Sequence, residues 1–211
     1  ALAVMMIEND DARPWQRPVH GLTDEAFLRG KAPMTKQEIR SVALSKLCPA
    51  PNAVVYDIGA GTGSCTVELA LQAPFGRVYA FEINDDALRV LKQNIAHFYL
   101  ANVTVVSGDA SARLKDLETP PDYVFIGGTK GRLVAILDEV YRKNEACSVV
   151  VTAITIETLA ALTTYYGSHP EYDLDITQIS AARSQKVGAS HLMMAQNPIF
   201  IVTIVRRSDV S

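Results

Sequence analysis

Four apolar residues, Ala53-Val54-Val55-Tyr56, run directly into Asp57-Ile58-Gly59-Ala60-Gly61-Thr62-Gly63, and this junction constrains the fold more than any other stretch of the chain. An apolar run of that length bounded by glycine reads as a buried strand. Alternate glycines after it let the backbone turn tightly and come close to a ligand, because glycine adopts positive φ without a steric penalty. A strand ending this way opens a βα unit. The spacing is G-x-G-x-G with an aspartate before it, whereas the dinucleotide fingerprint needs G-x-G-x-x-G, so it points to S-adenosylmethionine. A second apolar run, Gly76-Arg77-Val78-Tyr79-Ala80-Phe81-Glu82, ends on a carboxylate. That is where a βαβ unit places an acceptor for the two ribose hydroxyls.

Downstream the pattern keeps alternating. Strands are predicted over 54–58, 77–82, 103–106, 123–126 and 148–151, with helices near 65–72, 86–98, 132–141 and 156–166. Strands that are apolar almost throughout indicate a parallel sheet covered on both faces. Two late β-rich runs, 172–179 and 199–205, are separated by a polar, glycine-containing excursion over 180–197 and read as an antiparallel hairpin closing the sheet. The fold class is therefore α/β: a Rossmann-like class I methyltransferase with a mostly parallel, seven-stranded sheet and a terminal antiparallel hairpin. Thr35-Lys36-Gln37-Glu38 has the form of a capping box, followed by Ile39, Val42, Ala43 and Leu47 on one helical face. Residues 1–20, a strand-like opening and a polar, proline-containing linker, read as the remnant of a preceding domain, and 21–211 as the methyltransferase domain.

A chain of 211 residues, 48% hydrophobic, has room for one well-buried α/β domain and no second catalytic one. Its formal net charge of −3 gives no footprint for a general nucleic-acid binder. Cys48, Cys65 and Cys147 are odd in number and lack C-x-x-C spacing, so they are expected to be buried thiols in a reducing cytoplasm rather than a disulfide or zinc set. No apolar stretch approaches the roughly 20 residues of a membrane span. A cytoplasmic protein is expected.

Ser107-Gly108-Asp109-Ala110 follows the third strand, and Asp109 there is able to accept the adenine amino proton or to cap a short helix over 110–114, two compatible roles. Ile126-Gly127-Gly128-Thr129-Lys130-Gly131 leaves the fourth strand at the same carboxyl edge, where open α/β sheets bind ligands. The paired glycines suggest a substrate passing close to backbone; a plain loop is the alternative. Methyl transfer from a sulfonium needs in-line positioning and exclusion of water, so no catalytic acid or base is assigned. His20, His97, His169 and His191 show no metal-ligand spacing. His97 reads as a helix-end residue, and His191, in the late excursion beside Gly188, is the one histidine kept as a site candidate.

Taken together, Gly21-Leu22-Thr23-Asp24-Glu25-Ala26-Phe27, Met34-Thr35-Lys36-Gln37-Glu38-Ile39-Arg40, the 57–63 turn, Gly108-Asp109-Ala110, Ile126-Gly127-Gly128 and Asn197-Pro198 make the chain resemble the decarboxylating precorrin-6B methyltransferases of corrin biosynthesis. In some organisms that unit forms the carboxyl-terminal half of a bifunctional precorrin-6Y C5,15-methyltransferase. The resemblance covers 21–206. It implies methylation of carbon 15 and loss of carbon dioxide from the ring C acetate of a tetrapyrrole, precorrin-6B or its cobalt form. It also implies a homotetramer and a fused or separate tetrapyrrole methylase domain as partner; no nucleic acid, membrane or metal is expected, from the charge, the apolar run lengths and the histidine and cysteine spacing. Ala32-Pro33-Met34 departs from the Pro-Gly-Pro run common in the family.

From motifs and resemblance together, S-adenosyl-L-methionine is expected at Thr35, Asp57, Gly59, Ala60, Gly61, Thr62, Gly63, Glu82, Asp109 and Ala110. Gly127, Gly128, Lys130, Arg183 and Lys186 are expected on the substrate side. Lys130, Arg183 and Lys186 belong to a wider set of cations, with Arg29, Lys31, Lys36 and Arg132, expected to rim the carboxyl edge and to hold substrate carboxylates by charge-assisted hydrogen bonds. A class I tRNA methyltransferase would need a basic surface or an added nucleic-acid-binding region. A degenerate, non-catalytic assembly module would not need the intact Asp57, glycines and Glu82.

Overall fold

Side chains alternate between the two faces of a central sheet, and each face is covered. The computed structural model describes residues 19–207. The expected strand-like opening and linker lie outside the described residues. The elements run α1 (Gln37–Leu47), β1 (Val54–Ile58), α2 (Ser64–Gln72), β2 (Arg77–Glu82), α3 (Asp85–His97), β3 (Val103–Ser107), α4 (Ala110–Asp116), β4 (Tyr123–Ile126), α5 (Leu133–Lys143), β5 (Ser148–Ala153), α6 (Ile156–Gly167), β6 (Tyr172–Ile179), β7 (Ala182–Val187), β8 (Ser190–Ala195) and β9 (Ile199–Arg206). Seven of the strands form one sheet in the order β3-β2-β1-β4-β5-β9-β6. The first five pair in parallel, while β9 is antiparallel to both β5 and β6.

The period of two is visible in the core. Val55, Phe125, Val150 and Ile201 pack with Ala43, Leu44 and Leu69 on one face. Their neighbours Tyr56, Val124, Val149 and Val202 pack with Leu137, Val140 and Tyr166 on the other. The chain leaves β1 for β2 on one side and later enters β4 on the other, so the strand order reverses between β1 and β4. At that reversal the carboxyl ends of the strands leave a crevice.

Three expectations are corrected. The excursion over 180–197 is a separate two-stranded hairpin, β7 with β8. Most of its residues are exposed on both faces, so no apolar alternation marked it. The capping box does not form: Lys36 occupies the cap with no side-chain bond, and the Gln37 amide donates to the carboxylate of Asp24 at 2.9 Å instead. A carboxylate from the preceding segment, itself fully buried, replaces the local hydroxyl. Finally, Cys65 and Cys147 are buried but Cys48 is exposed, at the left-handed end of α1.

Candidate methyl-donor site

The crevice at the reversal encloses a cavity of about 550 Å³, within the usual range for small-molecule sites. Its floor is the glycine turn, held to the neighbouring strand because the amides of Gly59 and Ala60 both donate to the carbonyl of Phe81 at 3.0 Å. Gly59 has φ +75°, and a Cβ there would stand 2.5 Å from the carbonyl oxygen of Gly128. The turn after β4 is therefore in contact with the turn after β1. The missing side chain of Gly59 is what lets the two backbones meet; a Cβ on Gly127 would stand 3.2 Å from the Phe125 ring, and Gly128 faces open space, with nothing within 4 Å of a Cβ built on it.

Glu82 ends β2 with its carboxylate at the cavity wall. Its Oε2 accepts from the Gly61 amide at 2.8 Å, and Oε1 accepts from the amides of Ile83 and Asn84, both at 2.8 Å. Three amides thus fix its orientation and leave lone-pair capacity on Oε2 toward the cavity. Asp109 caps α4, accepting from the Ser111 amide at 2.9 Å and its hydroxyl at 2.6 Å, while its second oxygen meets Arg132. These bonds, the Ser111 hydroxyl foremost, hold its carboxyl below the ordinary range. The capping role expected for Asp109 is thus observed, and the residue also lines the cavity together with Ala110.

Ala60, Thr62 and Thr35 line the cavity as well, whereas Asp57 and Gly63 do not. A Cβ on Gly63 would stand 2.5 Å from Leu91 Cδ1, so that glycine serves the packing of α3 on the turn. Asp57 lies beneath the turn, fully buried, bonded through one oxygen to the hydroxyl of Thr66 and with no partner for Oδ1. Burial, offset in part by that hydroxyl and reinforced by the charge of Glu82, raises its pKa from 3.8 to about 7. The folded state then binds this proton more tightly than the unfolded chain, so its stabilisation is complete below about pH 4 and is lost as pH rises to about 7. Thermal unfolding across that window should show wild type losing up to about 4 kcal/mol relative to Asp57→Asn, at roughly 1.4 kcal/mol per pH unit. Parallel profiles for the two proteins would contradict it.

The wall opposite Glu82 is the segment leading to α1, and a buried ionic cluster holds it. Arg40 is fully buried. It bonds Glu68 at 2.6 Å and the carbonyl of Thr35 at 2.6 Å, and it lies 3.4 Å from Asp24. Asp24 also receives Arg183 at 2.9 Å, whose guanidinium makes two 2.8 Å bonds to Glu38. Arg183, expected on the substrate side, does not line the cavity, and two carboxylates hold its pKa further above the ordinary value, Glu38 foremost. Lys186 and His191 pair across the exposed hairpin, away from the cavity. Of the expected cation rim, Arg132 is turned to Asp109 and Arg29 to Asp24 and Glu25. Lys31, Lys36 and Lys130 line the cavity.

Sequence reasoning missed Asn84, which lines the cavity and caps α3 by accepting from the Ala87 amide at 3.0 Å; an asparagine just before a predicted helix was the available signal. It also missed Met34, Ile154 and Ile199, which line the opposite half. Among the described residues no group of metal-ligating side chains is found, and no helix is long and apolar enough to cross a membrane.

A seven-stranded sheet with an antiparallel β9, a glycine turn after β1 and an acid ending β2 define a class I S-adenosylmethionine-dependent methyltransferase. A family model described as a precorrin methyltransferase domain matches residues 25–206, and the chain belongs to that family. A relative from Sulfurisphaera tokodaii, named "Probable cobalt-precorrin-6B C(15)-methyltransferase (decarboxylating)", is 38% identical over 185 residues, covering 86% of this chain and 95% of the relative. The crystal structure of precorrin-6y C5,15-methyltransferase from Geobacter metallireducens superposes with a TM-score of 0.83 at 35% identity, covering 90% of this chain and all of that one. The precorrin 8W decarboxylase of Methanobacterium thermoautotrophicum gives a TM-score of 0.78 at 29% identity, covering 86% of this chain and 98% of the other.

Proposed function

We propose that the chain methylates carbon 15 of precorrin-6B or its cobalt form and releases carbon dioxide from an acetate side chain, with S-adenosylmethionine as methyl donor. The observation that carries the donor site is the Glu82 carboxylate, fixed by three amides at the cavity wall. Oε2 is oriented to accept from the ribose diol. The residues present fit the rest of the donor. Thr62 is 2% exposed, and its hydroxyl oxygen has no partner although the residue lines the cavity. Beside it α2 begins with no side-chain cap, leaving amides suited to a carboxylate. Asp109 with Ala110 would frame the adenine edge.

When bound, the donor supplies an activated methyl group on sulfur. The protein's own task is then positioning and exclusion of water: the Gly59–Gly128 contact fixes the floor, and the segment pinned by Arg40 supplies a wall. A non-catalytic role does not account as well for Glu82 and Thr62 together, and a nucleic-acid substrate finds no general basic footprint in a chain of formal net charge −3. Titration calorimetry with S-adenosylhomocysteine tests the donor assignment. Glu82→Ala should bind at least about tenfold more weakly than wild type, about 1.4 kcal/mol, and equal affinities would rule the site out.

A further inference from the structure

The cavity is divided by charge. On the side of β2 and β3 its lining carries Glu82, Asp86 and Asp109. On the side of β4, β5 and β9, where α1 packs, it carries Lys36 and Lys130 with Ile154 and Ile199, while Lys31 follows Gly30, which abuts Val90 of α3. The sheet order contributes to this division, because β2 and β3 lie on one side of β1 and β4, β5 and β9 on the other. The arginines near the cavity are tied to carboxylates, as Arg132 is to Asp109 and Arg183 to Glu38 and Asp24. The three lysines have no such partner among the described residues, so their charge is available to a ligand. The half with Lys36 and Lys130 also has an apolar corner. Thr152 pairs with Ile201 and Ala153 with Phe200, so the next residues along, Ile154 and Ile199, stand opposite one another at the carboxyl end of β5. Ile154 is 61% exposed, an uncovered apolar surface lining the same cavity as the uncommitted lysines.

We propose that this half orients a polycarboxylate macrocycle by holding its spectator carboxylates on Lys36 and Lys130 while the departing carboxylate lies against Ile154 and Ile199. The inference rests on the activity proposed above and adds to it which part of the cavity selects the reacting group. A carboxylate paired with a lysine is stabilised as the anion and resists losing carbon dioxide; one placed on isoleucine is poorly solvated and loses it more readily. In that step the bond from the side-chain carbon to the carboxyl carbon breaks and carbon dioxide leaves. The bonding pair passes into the ring conjugation, where it offsets the positive charge that methyl transfer brings in, leaving the side-chain carbon as an exocyclic methylene that becomes a methyl group when a ring proton moves to it, so no oxidant or reductant is required.

Two variants test it, each assayed with cobalt-precorrin-6B and methyl donor, with S-adenosylhomocysteine titrated in parallel. Lys36→Gln with Lys130→Gln should raise KM for the tetrapyrrole at least about tenfold, change kcat less, and leave S-adenosylhomocysteine affinity as in wild type. Ile154→Lys should accumulate a methylated product that retains its carboxylate. A double variant with wild-type KM overturns the clamp, as does loss of both ligands together, and an Ile154→Lys protein yielding only the doubly changed product overturns the placement of the departing group. If wild type binds S-adenosylhomocysteine but never turns over the tetrapyrrole, the proposed activity falls and the clamp with it. Normal wild-type turnover with unaffected variants removes the clamp alone.

Discussion

Arg40→Met should destabilise the protein by about 3–5 kcal/mol, the range for removing one partner from a buried ionic cluster. Without the guanidinium, Glu68 and Asp24 remain fully buried with their charge less compensated. The carbonyls of Leu22 and Thr35 lose their donor, and the guanidinium stacked 4.7 Å from the Phe27 ring centre is gone. Adding Glu68→Gln should recover part of the loss, since it removes the uncompensated charge, although its single oxygen can serve only one of the Gly21 and Leu22 amides, which meet different oxygens of Glu68. Because Thr35 lies in the cavity wall, donor affinity should fall as well. Chemical denaturation that puts Arg40→Met within about 1 kcal/mol of wild type would show that the cluster contributes little beyond packing.

Gly59→Ala should cost both stability and donor binding. The residue sits at φ +75°, and the new methyl would lie 2.5–2.9 Å from the oxygen, nitrogen and Cα of Gly128. Left-handed backbone costs a non-glycine residue about 1–2 kcal/mol, and overpacking against main chain adds about 1–3 kcal/mol. Parting the two turns also displaces Gly61, whose amide holds Glu82, so S-adenosylhomocysteine affinity should fall at least about tenfold. Gly128→Ala is the contrast: its methyl meets nothing within 4 Å, so stability should be spared. Equal stability of the two variants would mean that the contact between the turns yields.

The parallel sheet was legible because its signals are local. Strands over 54–58, 77–82 and 123–126 have the expected bounds, and β3 and β5 run slightly longer, since an apolar run closed by glycine or a polar turn marks its own ends. Glu82 was legible for the same reason. The ionic cluster was not, although Asp24 and Arg40 stood in recognised motifs: Arg40 is 28 residues from Glu68, and Arg183 is 159 from Asp24. Nothing in a motif states which distant charge it meets. Hence Arg183 was read as a free cation and Thr35 as a helix cap. The β7–β8 hairpin escaped for another reason, having no buried face to impose a period of two.

Mass spectrometry of the products formed when the purified chain is incubated with cobalt-precorrin-6B and S-adenosylmethionine tests the central claim most directly. The expected product has gained one methyl group and lost one carbon dioxide, and Glu82→Ala should form it far more slowly. An unchanged tetrapyrrole mass, from a chain that binds S-adenosylhomocysteine normally, would contradict the assigned activity.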